Sequence, residues 1–519
     1  MTDVVNVVAG GQFNISNSAS LVQVNNVTNT GVINVERITQ PMYRFDYTYW
    51  GCPVTLGSNF TLGNLSPLTL ADKYFSWIPT VANGFGNWLS ESAATIMNPI
   101  KGYIVRAPQT YSYTPTTFVP YPANFIGTPN NGDISCPIYH GTLGASTNND
   151  KYNLLGNPYP SAIDAQAFLT DTANAAVIDG TIYFWTHNSS PSTSYIDPFY
   201  NDFVINYTDS DYASWNSLGA VGSRGSAALS GGTTPNGYIG TGQGFFTKST
   251  GTAPSGNPVV FKNSMRVTGN NQQFFRLNPG TNDGDRLENT TIEKHRIWLN
   301  LISNSGSFNQ ILVGYIDGAT NGWDRAYDGV RFGNDSGTSF YSVLHDQDLV
   351  IQGRPTPFSD YDVVRLGFKA TLHENFSLRL DHFDGIFENH EIYVEDKELH
   401  IIHNLKESPY NFTSGIGKYN DRFVLRFTDE NGYARSSADL EPKVTAFIAE
   451  KNLVVEATQN ITSIDLYDIS GKLLSNVSLA EKSHHFSSNF YFAEGAYLVK
   501  IKLESGFVVT KKLIQNKKQ

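Results

Sequence analysis

Short apolar runs separated by Gly, Asn and Ser fill residues 4–38, VVNVVAGGQFNISNSASLVQVNNVTNTGVINVERI. Phe13 and Ile15, Leu21 with Val22 and Val24, and Val32 to Val35 carry the apolar side chains. Alternating runs this short, with turns between them, predict rungs of a β-solenoid or a meander. The pattern is already running at residue 4, so further rungs are expected upstream. A stacked array needs a cap, and the next domain would supply it.

From residue 41 to 265 the pattern is aromatic and punctuated by Gly and Pro. RFDYTYW (44–50), GYIVRAP (102–108), GTIYFWTH (180–187), DFVINY (202–207) and GQGFFTKS (242–249) predict strands. SAIDAQAFL (161–169) predicts one short helix, with Ser161 as N-cap and Ile163, Ala167 and Phe168 at helical spacing. Residues 266–440 alternate in RIWLNLIS (296–303), QILVGYI (310–316), VVRLGFKA (363–370), NFSLRLDHF (375–383), EIYVED (391–396), LHIIHNL (399–405) and DRFVLRFTD (421–429). Residues 441–519 predict six or seven strands, with DISGK (468–472) and ESG (504–506) as hairpin turns. The expected fold is therefore all-β. A β-solenoid end or cap occupies 1–40, β-sandwich modules occupy 41–265 and 266–440, and a small Ig-like β-sandwich occupies 441–519.

Composition agrees with strands and turns. Of 519 residues, 45 are Gly, 13% are aromatic and only 16% are charged, below the usual quarter. The net charge of −11 argues against nucleic-acid binding, which draws its affinity from Lys and Arg on phosphates. No apolar run reaches the 18 or so residues of a membrane helix. The start, MTDVVNVVAGG, lacks a basic n-region, an apolar h-region and a cleavage site. An exported protein with this start would be a mature or truncated fragment. Cys52 and Cys136 are open to two readings, one disulfide in an oxidising compartment or two small buried thiols.

The end of the chain carries a resemblance. IDLYDISGKLL (464–474) followed by EGAYLVKIKLESGFVVTKKLI (494–514) resembles the C-terminal sorting domain of type IX secretion substrates in the Bacteroidetes. Asp468, Gly471, Lys472, Gly495, Tyr497, Val499, Lys500, Gly506, Lys511 and Lys512 match that domain's Asp-x-x-Gly-Lys turn, Gly-x-Tyr-x-Val-Lys strand, turn Gly and Lys-Lys ending. Further upstream, residues 26–54, LLGNPYPSAIDAQAFL (154–169), GTIYFWTHN (180–188), GQGFF (242–246) and residues 392–427 are similar to segments of large flavobacterial surface proteins. In those proteins such segments join a repetitive stalk to the sorting domain. Their usual pattern has Ser in place of Cys52, which argues against a family-wide disulfide.

The resemblance implies export through the periplasm to the cell surface or beyond. The partners it implies are the type IX outer-membrane translocon and its PorV-type shuttle protein. An adhesin-like role, with gliding motility one setting, follows from the same likeness. An exposed hairpin and terminal strand offer an edge for β-augmentation, and Lys511, Lys512, Lys517 and Lys518 would complement an acidic mouth. The blander reading is a charged strand end that blocks aggregation.

Catalytic chemistry has little hold on this sequence. In DHFDG (381–385), strict alternation puts His382 and Asp384 on one strand face and Asp381 with Phe383 on the other. That would pair His382 with Asp384 as acid and base or as metal ligands, but a site needs three ligands. HIIH (400–403) splits its histidines between faces, and HH (484–485) has no third ligand at fixed spacing. TDSDYASWN (208–216), GTNDGDRLEN (280–289) and DGATNGWDRAYDG (317–329) are oxygen-rich enough for calcium but lack the EF-hand register. Asx turns explain them equally well.

No GxSxG, HExxH or P-loop occurs, and GTGQGFF (240–246) lacks the helix that a phosphate loop needs. DTA (171–173) matches a three-residue O-glycosylation pattern seen in that phylum. The expectation is a non-enzymatic surface protein without cofactor or catalytic residues. The alternative is a secreted carbohydrate-binding or carbohydrate-active protein that stacks sugars on Trp88, Trp215 or Trp323 or uses carboxylates far apart in sequence.

Overall fold

The strand Lys294–Ser303 is apolar along most of its length because both of its faces are covered. Ile297, Leu299 and Leu301 enter one core with Ile311, Val313, Phe368 and Phe423. Trp298, on the opposite face, packs with Leu218, Val221, Leu312 and Ile351. In this computed structural model the described residues are 3–80, 86–114, 117–141, 151–186, 207, 211–223, 234–271, 293–333, 337–429, 444–449, 451–504 and 508–515. The protein is all-β, with three short α-helices among its described strands, and it divides into two compact units, residues 1–429 and 430–519.

Lys294–Ser303 lies in a sheet of eleven strands. Its order is Ile401–Asn404, Tyr393–Asp396, Gly417–Arg426, Val363–Ala370, Ser339–Leu344, Gln347–Pro355, Phe308–Ile316, Lys294–Ser303, Glu374–Phe383 and Tyr410–Ser414, with Gly329–Val330 beside Gln347–Pro355. One pair is parallel, Phe308–Ile316 with Gln347–Pro355. The sheet curls until its two ends meet through side chains. The Tyr410 hydroxyl, near one end, donates to Asp396 Oδ2 near the other at 2.9 Å, and Phe412 meets Phe423 edge-on at 4.7 Å. Arg422, over both the Phe412 and Phe423 rings, donates from Nη2 to Asp396 Oδ2 at 2.8 Å.

The segments before residue 271 build smaller sheets. Tyr47–Trp50, Tyr103–Arg106, Tyr74–Ile78 and Asn87–Ser90 form one, and Ala220–Val221, Tyr212–Trp215, Ile178–Trp185, Gly244–Ser249 and Tyr152–Gly156 another. Their facing rings, Tyr49, Trp77, Tyr152, Tyr183, Tyr212 and Phe246, share a core with Phe332. Two glycines allow the backbones to cross. A Cβ on Gly156 would lie 2.4 Å from the Gly51 Cα, closer than real carbons approach. Asn157 then donates from Nδ2 to the carbonyls of Ser161, Ile239 and Gly240 at 2.9 to 3.0 Å. The GNPYP run is thus a structural knot.

The helix expected over 161–169 begins later, as Ala165–Thr170, with Asp164 rather than Ser161 as its cap. The Asp164 side chain accepts from Ala167 N at 3.1 Å. The preceding residues, Ala162–Asp164, are drawn into a strand by Tyr238–Ile239 and Arg266–Val267. Tertiary pairing overrides the local spacing there. Of the expected strand DFVINY, 202–206 lie outside the described residues.

Residues 3–38 wind back on themselves. Asn14–Ile15 runs parallel to Ile33–Ile38, with Asn14 beside Asn34 and Ile15 beside Val35, and Asn6 bridges Thr30 in the same sense. The antiparallel strand Pro122–Gly127 covers the other edge of Ile33–Ile38. Val5, Ile15, Leu21, Ile33 and Val35 share one core with Trp50, Val54, Phe60 and Phe125, so residue 40 separates no cores. Nor does residue 265, since Tyr212 packs with Phe332 and Leu218 with Trp298. Residues 1–429 form one unit where the sequence pattern suggests three segments.

The return path of the coil, residues 19–27, is held by polar side chains. Asn131 donates to Asn25 O and Val27 O at 2.8 and 2.9 Å, and Asn263 to Asn25 O at 3.2 Å. Arg266 reaches Leu21 O, Asn131 Oδ1 and Asn263 Oδ1 from above the Tyr159 ring. Burial lowers its pKa to about 10.

Cys52 and Cys136 are both buried free thiols. They belong to different cores, and burial pushes each thiol up to about 12. Unreactive buried packing is their role.

In residues 430–519, five strands are described: Val444–Ala449, Asn452–Asp468, Leu473–Asn489, Gly495–Leu503 and Val508–Gln515. Asn452–Asp468 is the spine. It pairs with Val444–Ala449 at its start, with Gly495–Leu503 at its end and with Leu473–Asn489 along both. The strands wrap one core of Leu453, Val455, Ile464, Leu466, Val499, Ile501 and Leu513.

Candidate functional site

The residues that carry the sorting-domain resemblance fall on one turn and three adjacent strands. Asp468 makes the turn. Its Oδ1 accepts from Ser470 Oγ at 2.6 Å, Ser470 N at 2.9 Å and Lys472 N at 3.0 Å. The Ser470 hydroxyl and then the Lys472 amide hold this exposed carboxyl below its ordinary pKa. Gly471 sits at φ 84°, where any other L-residue is strained. The spacing Asp-x-x-Gly-Lys therefore encodes an Asx turn that closes the hairpin.

Across the strands, Asp468 stands opposite Tyr497 and Leu466 opposite Val499. Tyr497 donates its hydroxyl to Ala493 O at 2.6 Å and meets Phe490 edge-on at 5.1 Å. Val499 is fully buried. Tyr497 and Val499 are core residues, and Gly495 begins their strand opposite Gln515.

Lys500 is exposed on the other face, between Asp465 and Thr510. Lys512, opposite Leu498, shares that outer face, as do Lys502 and the exposed Val508 and Ile514. Lys511 stands opposite Val499 on the core side, yet is exposed. A charge so placed blunts the strand edge. Gly506, Lys517 and Lys518 lie outside the described residues.

Charge separates the units. Residues 1–429 hold 25 Lys and Arg against 37 Asp and Glu, and residues 430–519 hold 11 against 10. From Gly495 onward there are six lysines and one acidic residue, Glu504. The acidity of the chain is thus in its first unit, and its end is locally basic.

The His382–Asp384 pair expected from alternation does not form. The register skips between Trp298 opposite His382 and Leu299 opposite Leu380. Asp381 is the extra residue of this β-bulge, which breaks the period of two. His382 Nδ1 instead lies 2.7 Å from Asp381 Oδ2, and its ring stacks on Trp298 at 3.9 Å. Asp384 is taken by Arg296, accepting from Nε at 2.8 Å and Nη2 at 2.6 Å. The polar chain continues from Asp381 to Asn300 at 2.7 Å and from Asn300 to Gln310 at 2.9 Å. Nothing in the sequence marks the bulge, so the Asp381–His382 contact was beyond pattern reading.

The other candidates resolve locally. His400 is a turn residue at φ 56°, and His403 Nε2 lies 2.8 Å from Ser408 O. His484 Nδ1 lies 3.2 Å from Ala457 O. In 317–329, Asp324 accepts from Thr320 N at 2.5 Å, and Asp328 accepts from Asp324 N at 2.7 Å and Gly353 N at 2.8 Å. Those carboxylates staple backbone amides. Burial raises the Asp328 pKa to about 7 despite these bonds.

Residues 208–210 and 280–289 lie outside the described residues. Among the described residues, no three His, Cys, Asp or Glu side chains converge as a metal would need. Trp215 is buried, Trp88 packs against Trp77 and Tyr49, and Trp323 is 40% exposed. GTGQGFF runs into the strand Gly244–Ser249. Thr172 of DTA is exposed at the start of the short helix Thr172–Ala175. No described helix is long and apolar enough to cross a membrane.

An all-β unit with a parallel coil at its start, followed by a separate small β unit with a lysine-rich end, is the class of molecule these features define. Residues 1–427 match the family model described as Domain of unknown function (DUF8693), and the chain belongs to that family. Residues 435–515 match a second model, Domain of unknown function (DUF8694). No curated protein matches the chain. Among solved structures, one that it matches is Tp47, the 47-kilodalton lipoprotein of Treponema pallidum, at 10% identity and a TM-score of 0.12, over 42% of this chain and 86% of that one. A likeness that slight carries no argument.

Proposed function

We propose that this protein is a non-enzymatic, adhesin-like surface or secreted protein whose last unit is an export address. The unit would be read by the type IX outer-membrane translocon and a PorV-type shuttle. One observation carries the reading. The residues matching the sorting-domain pattern split into a scaffold set and a presented set. Asp468, Gly471, Tyr497 and Val499 build the turn and the core, whereas Lys472, Lys500, Lys511 and Lys512 are exposed around them. A recognition element needs that division, a rigid frame and a charged display. The near-neutral charge of residues 430–519, with lysines gathered at the end, favours docking to an acidic surface. The remaining unit then spaces or adheres.

The test is export of a fluorescent reporter with a signal peptide at its front and residues 430–519 at its end, in a gliding flavobacterium with and without a working translocon. Reporter outside the cell only in the competent strain supports the address. Reporter retained in the periplasm of both strains sinks it. Lys500→Gln with Lys512→Gln, which avoids a second carboxylate opposite Asp465, should weaken export while leaving the unit folded by circular dichroism.

A further inference from the structure

The eleven-strand sheet has a split in it. Phe308–Ile316 pairs with Lys294–Ser303 along its whole length, down to Phe308 opposite Ile302. Its other neighbour, Gln347–Pro355, pairs with it only from Leu312 onward. Ser339–Leu344 in turn meets Gln347–Pro355 only from Ser342 onward. Phe308–Gln310 and Phe340 therefore lie side by side with no ladder between them. A side chain crosses the gap instead, as Asn309 Nδ2 donates to Thr338 O at 3.2 Å.

The split opens a cavity of about 40 Å³ within the first unit. Phe308, Phe340, Phe332 and Tyr212 wall it, the last two with ring centroids 4.0 Å apart. Two polar side chains set its chemistry. Gln310 is fixed in place, since its Oε1 accepts from Gly222 N and its Nε2 donates to Asn300 Oδ1, both at 2.9 Å. Ser214 is 2% exposed, and its hydroxyl has no hydrogen-bond partner among the described residues. A buried hydroxyl costs free energy unless something bonds it, and this one belongs to the cavity lining. Half-buried Phe308, Val350 and Arg331 mark the mouth. A space of this size takes about three waters, or three heavy atoms of a molecule whose remainder stays outside.

We propose that this cavity is a subsite for the acetamido group of an N-acetylhexosamine on a surface glycan. The acetyl tip is three heavy atoms, half apolar and half polar, as the lining is. Its methyl packs on the phenyl rings, and its carbonyl accepts from the Ser214 hydroxyl. Gln310 Oε1, with a second lone pair, receives the amide N–H. Arg331 makes a carboxylate the competing occupant, but four aromatic walls count against it, because a carboxylate would lose its hydration there. The inference supplies a ligand for the adhesive role of the first unit. It does not depend on the export reading, since sugar binding by the purified chain and export of a reporter are separate measurements.

The experiment is saturation-transfer NMR on the full chain. The probes are the methyl glycosides of N-acetylglucosamine, N-acetylgalactosamine, glucose and glucuronic acid. The expected result is transfer strongest at the acetyl methyl of an N-acetyl sugar and none to the glucoside. Ser214→Ala should weaken binding about three- to tenfold, with an unchanged tryptophan-detected unfolding midpoint. Val350→Phe, which fills the mouth, should abolish it. If Val350→Phe does not fold, Ser214→Ala alone decides. No transfer from either N-acetyl sugar, or transfer undiminished in the folded variants, overturns the proposal. So does a stronger response from the glucuronide, because the cavity would then hold a carboxylate beside Arg331.

Discussion

Replacing Arg422 by Met tests how the eleven-strand sheet closes. Asp396 is fully buried and Arg422 nearly so. The guanidinium supplies Asp396 with bonds from Nε at 3.1 Å and Nη2 at 2.8 Å, and Tyr410 and the amides of Glu398 and Leu399 supply the rest. Burial alone would raise the Asp396 pKa, but the Arg422 and Tyr410 bonds outweigh it and hold the carboxyl below its ordinary value.

Arg422→Met strands a buried carboxylate, at a cost of roughly 3–5 kcal/mol. The double variant Asp396→Leu with Arg422→Met removes both charges and should recover most of that loss. All seven tryptophans precede residue 430, so fluorescence-detected denaturation of the full chain reports the first unit alone. The sign with pH is fixed. Wild-type Asp396 contributes stability above its unfolded pKa of about 3.9, lost as pH falls through the depressed folded value. The stranded carboxylate of the variant can protonate, so its deficit shrinks toward acid. A single variant costing under about 1 kcal/mol, or a double variant as unstable as the single, would refute the closure argument.

Gly156→Ala should destabilise the first unit by at least 1–3 kcal/mol, since its Cβ would meet the Gly51 Cα and the Lys101 carbonyl at 2.4 and 2.8 Å, and the same fluorescence curve reads it. Gly471→Ala meets nothing within 4 Å, so its cost is the conformational ~1–2 kcal/mol of a left-handed residue, read as faster amide exchange in 464–478. Asp328, raised to about 7, makes the first unit lose stability as pH rises from about 4 to 7, because the unfolded carboxyl ionises first. Asp328→Asn should flatten that slope in tryptophan-detected melts, and an unchanged slope would assign it to other groups.

Legibility followed the range of the interactions. Strands such as Phe308–Ile316 and Val363–Ala370 were readable because alternation and β-branched runs are local signals. The hairpin turn over Asp468–Lys472 is readable for the same reason, since Gly471 marks it and its bonds fall within those five residues. Non-local features escaped. Asp381 becomes a bulge only because Glu374–Phe383 must stay in register with Lys294–Ser303. Ser161 loses its cap because Arg266–Val267, a hundred residues away, claims the backbone beside it. The single unit of 1–429 rests on contacts such as Thr181 Oγ1 to Asp328 O, for which no spacing rule exists.

The same distinction bears on the candidate address. Tyr497 and Val499 stand out in the sequence as a motif, but their burial makes them poor direct contacts for any partner. Their constancy within such a pattern would be a constraint of the fold, whereas the lysines on the outer face carry no fold constraint that their exposure reveals. Recognition and stability are therefore separable in this unit. Tyr497→Phe removes the bond to Ala493 O and should cost about 1 kcal/mol of stability with export intact, while Lys500→Gln with Lys512→Gln should do the reverse. If both variants lose export in proportion to lost stability, the partner reads foldedness rather than charge, and the basic face is solvated surface.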